Sequence, residues 1–233
     1  MAWIEHDHAN LDALVAHVAD ALTEACATAV TERGAAWLAL AGGRTPLPIY
    51  ARLAASRHAG ILIAIPTDDR CVPHQHPACN LHALRAAFAA NTDIVVNSLT
   101  REDGDVDASM AQSRALLALN PQPFDAVLLG MGADGHVASL FPGAANLSDG
   151  LAMEGGSDVI ATLPDPLPPE APYARISLTL PRLLRARHVH LVVSGEDKRG
   201  VLRRAQQRDA GDGLPVAALL HARDHRVQIH WSP

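Results

Sequence analysis

The sequence predicts one α/β domain, a mainly parallel sheet layered between helices with a small antiparallel edge, and three observations carry that prediction. Four short apolar runs, AAWLALA (35–41), ILIAI (61–65), DAVLL (125–129) and HVHLVV (188–193), have the character of strands buried on both faces. Each empties into a loop rich in glycine or charge, and stretches of helical periodicity alternate with them. At 233 residues the chain suits a single core burying roughly 70–75% of its unfolded surface. One domain over residues 1–233 is therefore expected.

Aliphatic side chains must build that core, because apolar residues are 48% of the chain and aromatic ones only 3%. The net charge of -6 argues against a general nucleic-acid or membrane-surface protein, so an anionic ligand needs a local cluster of positive groups. The N-terminal MAWIEHDHANLDAL has no basic segment leading into a sustained apolar one, and no later run approaches eighteen apolar residues. A soluble, cytoplasmic protein is expected. Cys26, Cys71 and Cys79 fit reduced thiols better than a disulfide framework. Arginine so outnumbers lysine that Lys198 is the single lysine.

Taken in order, residues 10–32 place Leu11, Leu14, Val15, Val18, Leu22 and Cys26 on one helical face, and Gly34 supplies the stop. His6, His8 and His17 read as surface or helix-face residues rather than ligands. The strand over 35–41 runs into Gly42, Gly43, Arg44, Thr45 and Pro46. Thr45 suits an N-cap and Pro46 the first helical position, so bare glycine amides and a helix N-terminus would meet a bound anion; a plain tight turn is the alternative. The strand over 61–65 empties into Thr67, Asp68, Asp69 and Arg70. Arg70 offers a bidentate fork for phosphate or carboxylate, with Asp68 or Asp69 to hold it; a solvated loop with an internal ion pair is the alternative. Cys71, His74, His76 and Cys79 have the makings of a zinc site, but Pro73 and Pro77 interrupt so compact a loop. Asn80 is better read as the cap of a helix over 81–90.

A brief strand is expected over 93–98 and a helix over 108–119. Then comes FDAVLLGMGADGHVASLFPG (124–143), around which the chain is organised. Gly130, Gly132 and Gly135 let the backbone turn sharply, and Asp134 and His136 fall just beyond the strand's carboxyl end, where open α/β sheets bind ligands. The glycines satisfy G-x-G-x-x-G, yet Pro142 and Gly143 break the following helix early, and Glu154 lies in a glycine-rich loop, so a dinucleotide site is not expected. Residues 158–163 and 174–180 alternate as strands around a proline-rich link and are expected to pair at an edge. The basic turn over 181–187 reads as a solvated face. The strand over 188–193 leads into Ser194, Gly195, Glu196, Asp197 and Lys198. A cation in the first turn of a helix is unfavourable unless an anion accompanies it, which marks Lys198 for ligand duty. A short helix over 214–220 and a strand over 227–231 close the chain.

Four strand-to-loop corners thus carry glycines or charge, and in a mainly parallel sheet all four lie on one edge. Two cationic side chains, a glycine cradle and one histidine at that edge describe a site for a phosphorylated small molecule and proton transfer.

The motifs AGGRTP, TDDRCVP followed by CN, GMGADGHVASLFPG, ARISLTLP, SGEDK and LPVAAL run in order along nearly the whole chain, which in them resembles the 6-phosphogluconolactonase family, related to the sugar-phosphate isomerases and deaminases. Arg44, Asp69, Cys79 and Val137 depart from residues common in that family, whereas Arg70, His136 and Lys198 match it. The resemblance implies a Rossmann-like three-layer sandwich. It also implies hydrolysis of 6-phospho-D-glucono-1,5-lactone in the oxidative pentose phosphate pathway, with no metal or cofactor.

On that reading His136 is the base that activates water, Asp134 orients it, and Arg70 and Lys198 hold phosphate or the developing oxyanion. Gly42, Gly43 and Thr45 cradle anionic oxygen, and Arg175 contributes to the pocket or serves as a structural ion-pair partner. Ser139 is set aside as a nucleophile, because no G-x-S-x-G elbow surrounds it and a helix three residues past His136 would turn its hydroxyl elsewhere. An amino-sugar-phosphate deaminase or isomerase is the runner-up; residues 138–142 carry no carboxylate, which weighs against it. A non-catalytic sugar-phosphate sensor is the alternative of a different class. The expected partner is the small phosphorylated lactone, without nucleic acid or membrane, in a monomer or weak homodimer.

Overall fold

The computed structural model describes residues 3–169, 171–207 and 213–233. Met1 and Ala2 of the N-terminal reading and Glu170 of the proline-rich link lie outside the described residues. Strand β1 (Trp3–Asp7) precedes helix α1 (Leu11–Arg33). The Asn10 side chain caps that helix by accepting from the Ala13 amide, and Gly34, at φ 79°, ends it in a left-handed conformation that a side chain would resist. Next come β2 (Ala35–Leu40), α2 (Leu47–Ala55), β3 (Ile61–Pro66), β4 (Asp68–Arg70), α3 (Asn80–Phe88), β5 (Ile94–Val96) and α4 (Val106–Leu119). The second half holds β6 (Ala126–Gly130), α5 (Leu147–Leu151), β7 (Val159–Thr162), β8 (Arg175–Leu178), α6 (Leu180–Leu184), β9 (His188–Ser194), α7 (Glu196–Gln206), α8 (Pro215–His221) and β10 (Val227–Ser232).

Seven strands form one parallel sheet in the order β1-β10-β9-β6-β2-β3-β5. From β2 the chain adds β3 and β5 on one side and then returns to add β6 and β9 on the other. The neighbours β2 and β6 therefore flank a topological switch point, where the loops beyond them part and leave a crevice. Alternation along β6 shows the layering: Val127 and Leu129 face one apolar layer with Leu117, Leu183, Leu202 and Leu219. Ala126 and Leu128 face the other, with Leu22, Leu53 and Leu84. By length and hydropathy, 23 residues and 1.3, α1 resembles a membrane span. In the fold it lies against the second layer, with Leu14, Val18, Leu22 and Cys26 buried.

The expected antiparallel pair forms, as part of a small three-stranded sheet of order β4-β8-β7. Three local expectations are corrected. Asp68–Arg70, read as a loop, is a strand because β8 offers it a ladder. Arg182, assigned to a solvated turn, is fully buried. Its guanidinium lies 4.2 Å from the centre of the Phe124 ring and donates to the carbonyls of Asn120 and Gln122. Burial pushes its pKa down to about 10. Finally, no helix follows the glycines after β6: the chain passes through tight turns, with Gly135 at φ 82° and Ala138 at φ 49°.

Candidate active site

The four corners lie at the carboxyl ends of β9, β6, β2 and β3, four adjacent strands, and open on one cavity of about 350 Å³. Gly42, Gly43, Thr45, Arg70, His136, Arg175 and Lys198 all line it. Asp134 is not on its wall; it stands behind the histidine.

The β6 corner is shaped by its glycines. Gly132 donates its amide to the His136 carbonyl at 3.0 Å, and Gly135 donates to the Gly132 carbonyl at 3.1 Å, which folds the loop back on itself. A Cβ at residue 132 would fall 2.2 Å from His136 Nδ1 and 2.5 Å from Asp134 Oδ1, so only glycine leaves room for the pair. Asp134 Oδ1 sits 2.6 Å from His136 Nδ1 and also accepts the His136 amide. A carboxylate at Nδ1 fixes the proton there and leaves Nε2 as the lone-pair nitrogen. Burial alone would raise the Asp134 pKa, but the hydrogen bond and charge of His136 outweigh it and the carboxyl stays below its ordinary value. The imidazole rests on Phe141, ring centres 4.3 Å apart.

The cationic wall comes from the small sheet. Arg70 and Arg175 face each other in the β4–β8 ladder. Arg70 donates to the Ala78 carbonyl at 2.6 Å, and Arg175 donates to the Ala171 carbonyl at 3.1 Å while its guanidinium lies 4.9 Å from the centre of the Phe141 ring. Neither Nε finds a partner, and among the described residues no carboxylate makes an ion pair with Arg70, Arg175 or Lys198. Burial holds the Arg175 pKa below its ordinary value, against the pull of Asp68 and with the push of Arg70. Lys198 reaches the same cavity from the first turn of α7.

Asp68 and Asp69 do not hold the Arg70 fork. Asp69 is fully buried and accepts the main-chain amides of Arg70, Asn80 and Leu81, so it caps α3 from eleven residues upstream. Burial raises its pKa against those three amide donors. Asp68 accepts the Ser139 hydroxyl, which ties the β6 loop to β4. Ser139 is buried and committed to that bond, so it is no nucleophile, although the helix expected to turn it away is absent. Thr45 does not cap α2; Pro46 occupies the cap position without a side-chain bond.

Asn80 is the site residue that sequence reasoning missed. Its side chain donates to the Asp68 carbonyl and lines the cavity, and a Cβ at residue 42 would strike its Oδ1 at 2.0 Å. The glycine corner after β2 is thus packed against Asn80, and the CN pair after TDDRCVP was the available signal. The possible zinc set is dispersed: Cys79 bonds to Asp69, His74 to Thr100, and His76 to the Ala78 amide.

Fold and cleft define an open-sheet α/β protein with a switch-point pocket that presents unpaired cations and one carboxylate-oriented imidazole. A sequence model of the glucosamine-6-phosphate isomerases/6-phosphogluconolactonase family matches residues 9–231. A curated 6-phosphogluconolactonase of Mesorhizobium japonicum is 36% identical over 227 residues, covering 95% of this chain and 90% of that one. Another, of Caulobacter vibrioides, is 33% identical over 92% of this chain and 90% of its own length. The crystal structure of a 6-phosphogluconolactonase from Shewanella baltica superposes with a TM-score of 0.89 at 29% identity, over 99% of this chain and 97% of that one. The chain belongs to the family of glucosamine-6-phosphate isomerases and 6-phosphogluconolactonases.

Proposed function

We propose that the chain hydrolyses 6-phospho-D-glucono-1,5-lactone to 6-phospho-D-gluconate, the step of the oxidative pentose phosphate pathway that the name of its curated relatives denotes. The observation that carries this reading is the Asp134–His136 pair, 2.6 Å apart, on a cavity that also presents Arg70, Arg175 and Lys198. His136 Nε2 takes a proton from water as the water oxygen bonds to the lactone carbonyl carbon. The charge that develops on the carbonyl oxygen is stabilised by the cationic wall or by amides of the Gly42–Gly43 corner. Collapse breaks the bond from that carbon to the ring oxygen, and the imidazolium returns its proton there. No acyl-enzyme forms, because the nucleophile is water. The remaining cations grip the phosphate, which bears about two negative charges and suits guanidinium forks.

The reading includes a cytoplasmic monomer or weak homodimer that needs no cofactor. Acid release from freshly generated phosphogluconolactone, followed in a pH-stat, tests the activity. Release no faster than the spontaneous rate leaves only a sugar-phosphate sensor, and ammonia release from glucosamine 6-phosphate would move the chain to the deaminase branch.

A further inference from the structure

Six of the thirteen histidines, His6, His8, His17, His188, His190 and His230, gather away from the cleft, around the edge strand β1 and its neighbours β10 and β9. His6 stands opposite His230 in the β1–β10 ladder, and Gln228 opposite His190 in the next. Alternate residues of a strand share a face, so His6, His8, His230 and His190 point to one side of the sheet. His17 meets them from α1, its ring centre 5.1 Å from those of His6 and His8 and 5.4 Å from that of His230. One ligand-capable atom from each of His6, His17 and His230 lies within 4.8 Å of the other two, and no other group of three His, Cys or carboxylate side chains among the described residues does so.

We propose that His6, His17 and His230, with His8 as a fourth ligand, bind a borderline dication of the Zn²⁺, Co²⁺ or Ni²⁺ class. Imidazole sets of this kind favour such ions over Mg²⁺ or Ca²⁺, which take oxygen ligands. The outer contacts free the correct nitrogens. Gln228 Oε1 lies 2.7 Å from His6 Nε2 and leaves Nδ1 for a metal. His190 Nδ1 lies 3.1 Å from His230 Nε2 and leaves the Nδ1 that faces His8 Nε2 at 3.4 Å. Such partners orient ligand rings as carboxylates and amides do in known metal sites. His230 is buried, whereas His17 is exposed, so one side of the site opens to solvent and gives an ion a way in. Tetrahedral zinc bonds of about 2.0–2.1 Å place ligand nitrogens about 3.3 Å apart, so small rotations of exposed His17 and half-buried His6 complete the shell.

The test uses the full chain without a polyhistidine tag, stripped with a chelator and titrated with Co²⁺. The expected result is one equivalent bound with the visible absorption of low-coordinate cobalt, displaced by Zn²⁺, and a thermal stabilisation by Zn²⁺ that Mg²⁺ does not give. His17→Ala, at an exposed position, should keep the metal-free melting temperature and the hydrolytic rate while weakening binding at least ten-fold. His8→Asn gives a second such variant should His17→Ala alter folding. His136→Ala should bind cobalt as the parent does. Absence of stoichiometric binding, binding unchanged in His17→Ala and His8→Asn together, or loss of the metal in His136→Ala would each overturn the proposal.

Discussion

Arg70 and Arg175 occupy directly opposed positions in the β4–β8 ladder and line the same cavity, with no carboxylate in an ion pair with either among the described residues. Like charges placed this way cost stability unless a shared anion lies between them. Inorganic phosphate should therefore raise the melting temperature of the parent by mass action. Arg175→Met should lose most of that rise, hold its phosphate-free melting temperature near the parent's, and raise the KM for the phosphorylated lactone at least ten-fold. Thermal melts across a phosphate series and initial rates check both halves.

His136 and Asp134 should behave as one unit. His136→Ala is expected to lower kcat by about 10²–10⁴ with substrate binding largely kept. Asp134→Ala frees the ring to rotate and to change tautomer, and should cost less, about ten- to a hundred-fold. The double variant should be no slower than His136→Ala alone, since an orienting group has nothing left to orient. Multiplicative losses in the cycle would mean that Asp134 acts on substrate by itself.

Gly132→Ala offers a sharper geometric check, because the added methyl falls 2.2 Å from His136 Nδ1 and 2.5 Å from Asp134 Oδ1. It must push the pair apart, so kcat should fall at least as far as in Asp134→Ala. Gly200→Ala is the control: it lies within α7 with nothing within 4 Å of the new carbon. There the substitution should leave kinetics unchanged and add up to about 1 kcal/mol of stability.

The parts of this molecule legible in its sequence are those dictated by neighbours along the chain. Buried runs such as 125–129, the helix over 10–32 stopped by Gly34, and the glycines and charges that end β2, β3, β6 and β9 all announce themselves locally. What escaped depends on distant partners. Asp68–Arg70 is acidic and short, and becomes a strand only because Arg175–Leu178, more than a hundred residues on, supplies its hydrogen bonds. Asn80 looked like a helix cap since asparagine favours that position, yet the capping is done by Asp69, and Asn80 is released to wall the cleft. Arg182 carries a charge that by default faces water, and the Phe124 ring, two main-chain carbonyls and Asp158, 3.8 Å from its Nε, make its burial tolerable. His6, His8 and His17 read as surface or helix-face residues because the rest of their cluster, His188, His190 and His230, lies in β9 and the last ten residues.

Ser139→Ala separates water attack from an acyl-enzyme. The hydroxyl is buried and donates to Asp68 Oδ2, so its loss strands a buried carboxylate oxygen and should cost about 1–3 kcal/mol of stability. Hydrolysis measured well below the melting temperature should stay within a few-fold of the parent. A loss of several powers of ten, with the fold intact by circular dichroism, would contradict the water mechanism.

Acid should weaken the fold through His190 and His230. Burial, then the charges of His188, His17 and His6, pushes the His190 pKa down to about 4. Burial, then His190, His6, His17 and His8, pushes that of His230 to about 2. The surrounding elements thus present imidazoles from β1, β9 and α1, and Asp7, which pulls on His8, pairs with Arg199 on α7. In the unfolded chain both rings titrate near 6.5, so below that pH the unfolded state binds protons that the native state refuses. Their contribution to stability is complete above about pH 7 and is lost as the pH falls toward 4, by about 1.4 kcal/mol per pH unit for each ring fully engaged. Urea midpoints in metal-free buffer should drop steeply between pH 6 and 4, and His190→Gln should flatten that slope by about one proton. A slope unchanged by the substitution would mean that His190 is protonated alike in both states.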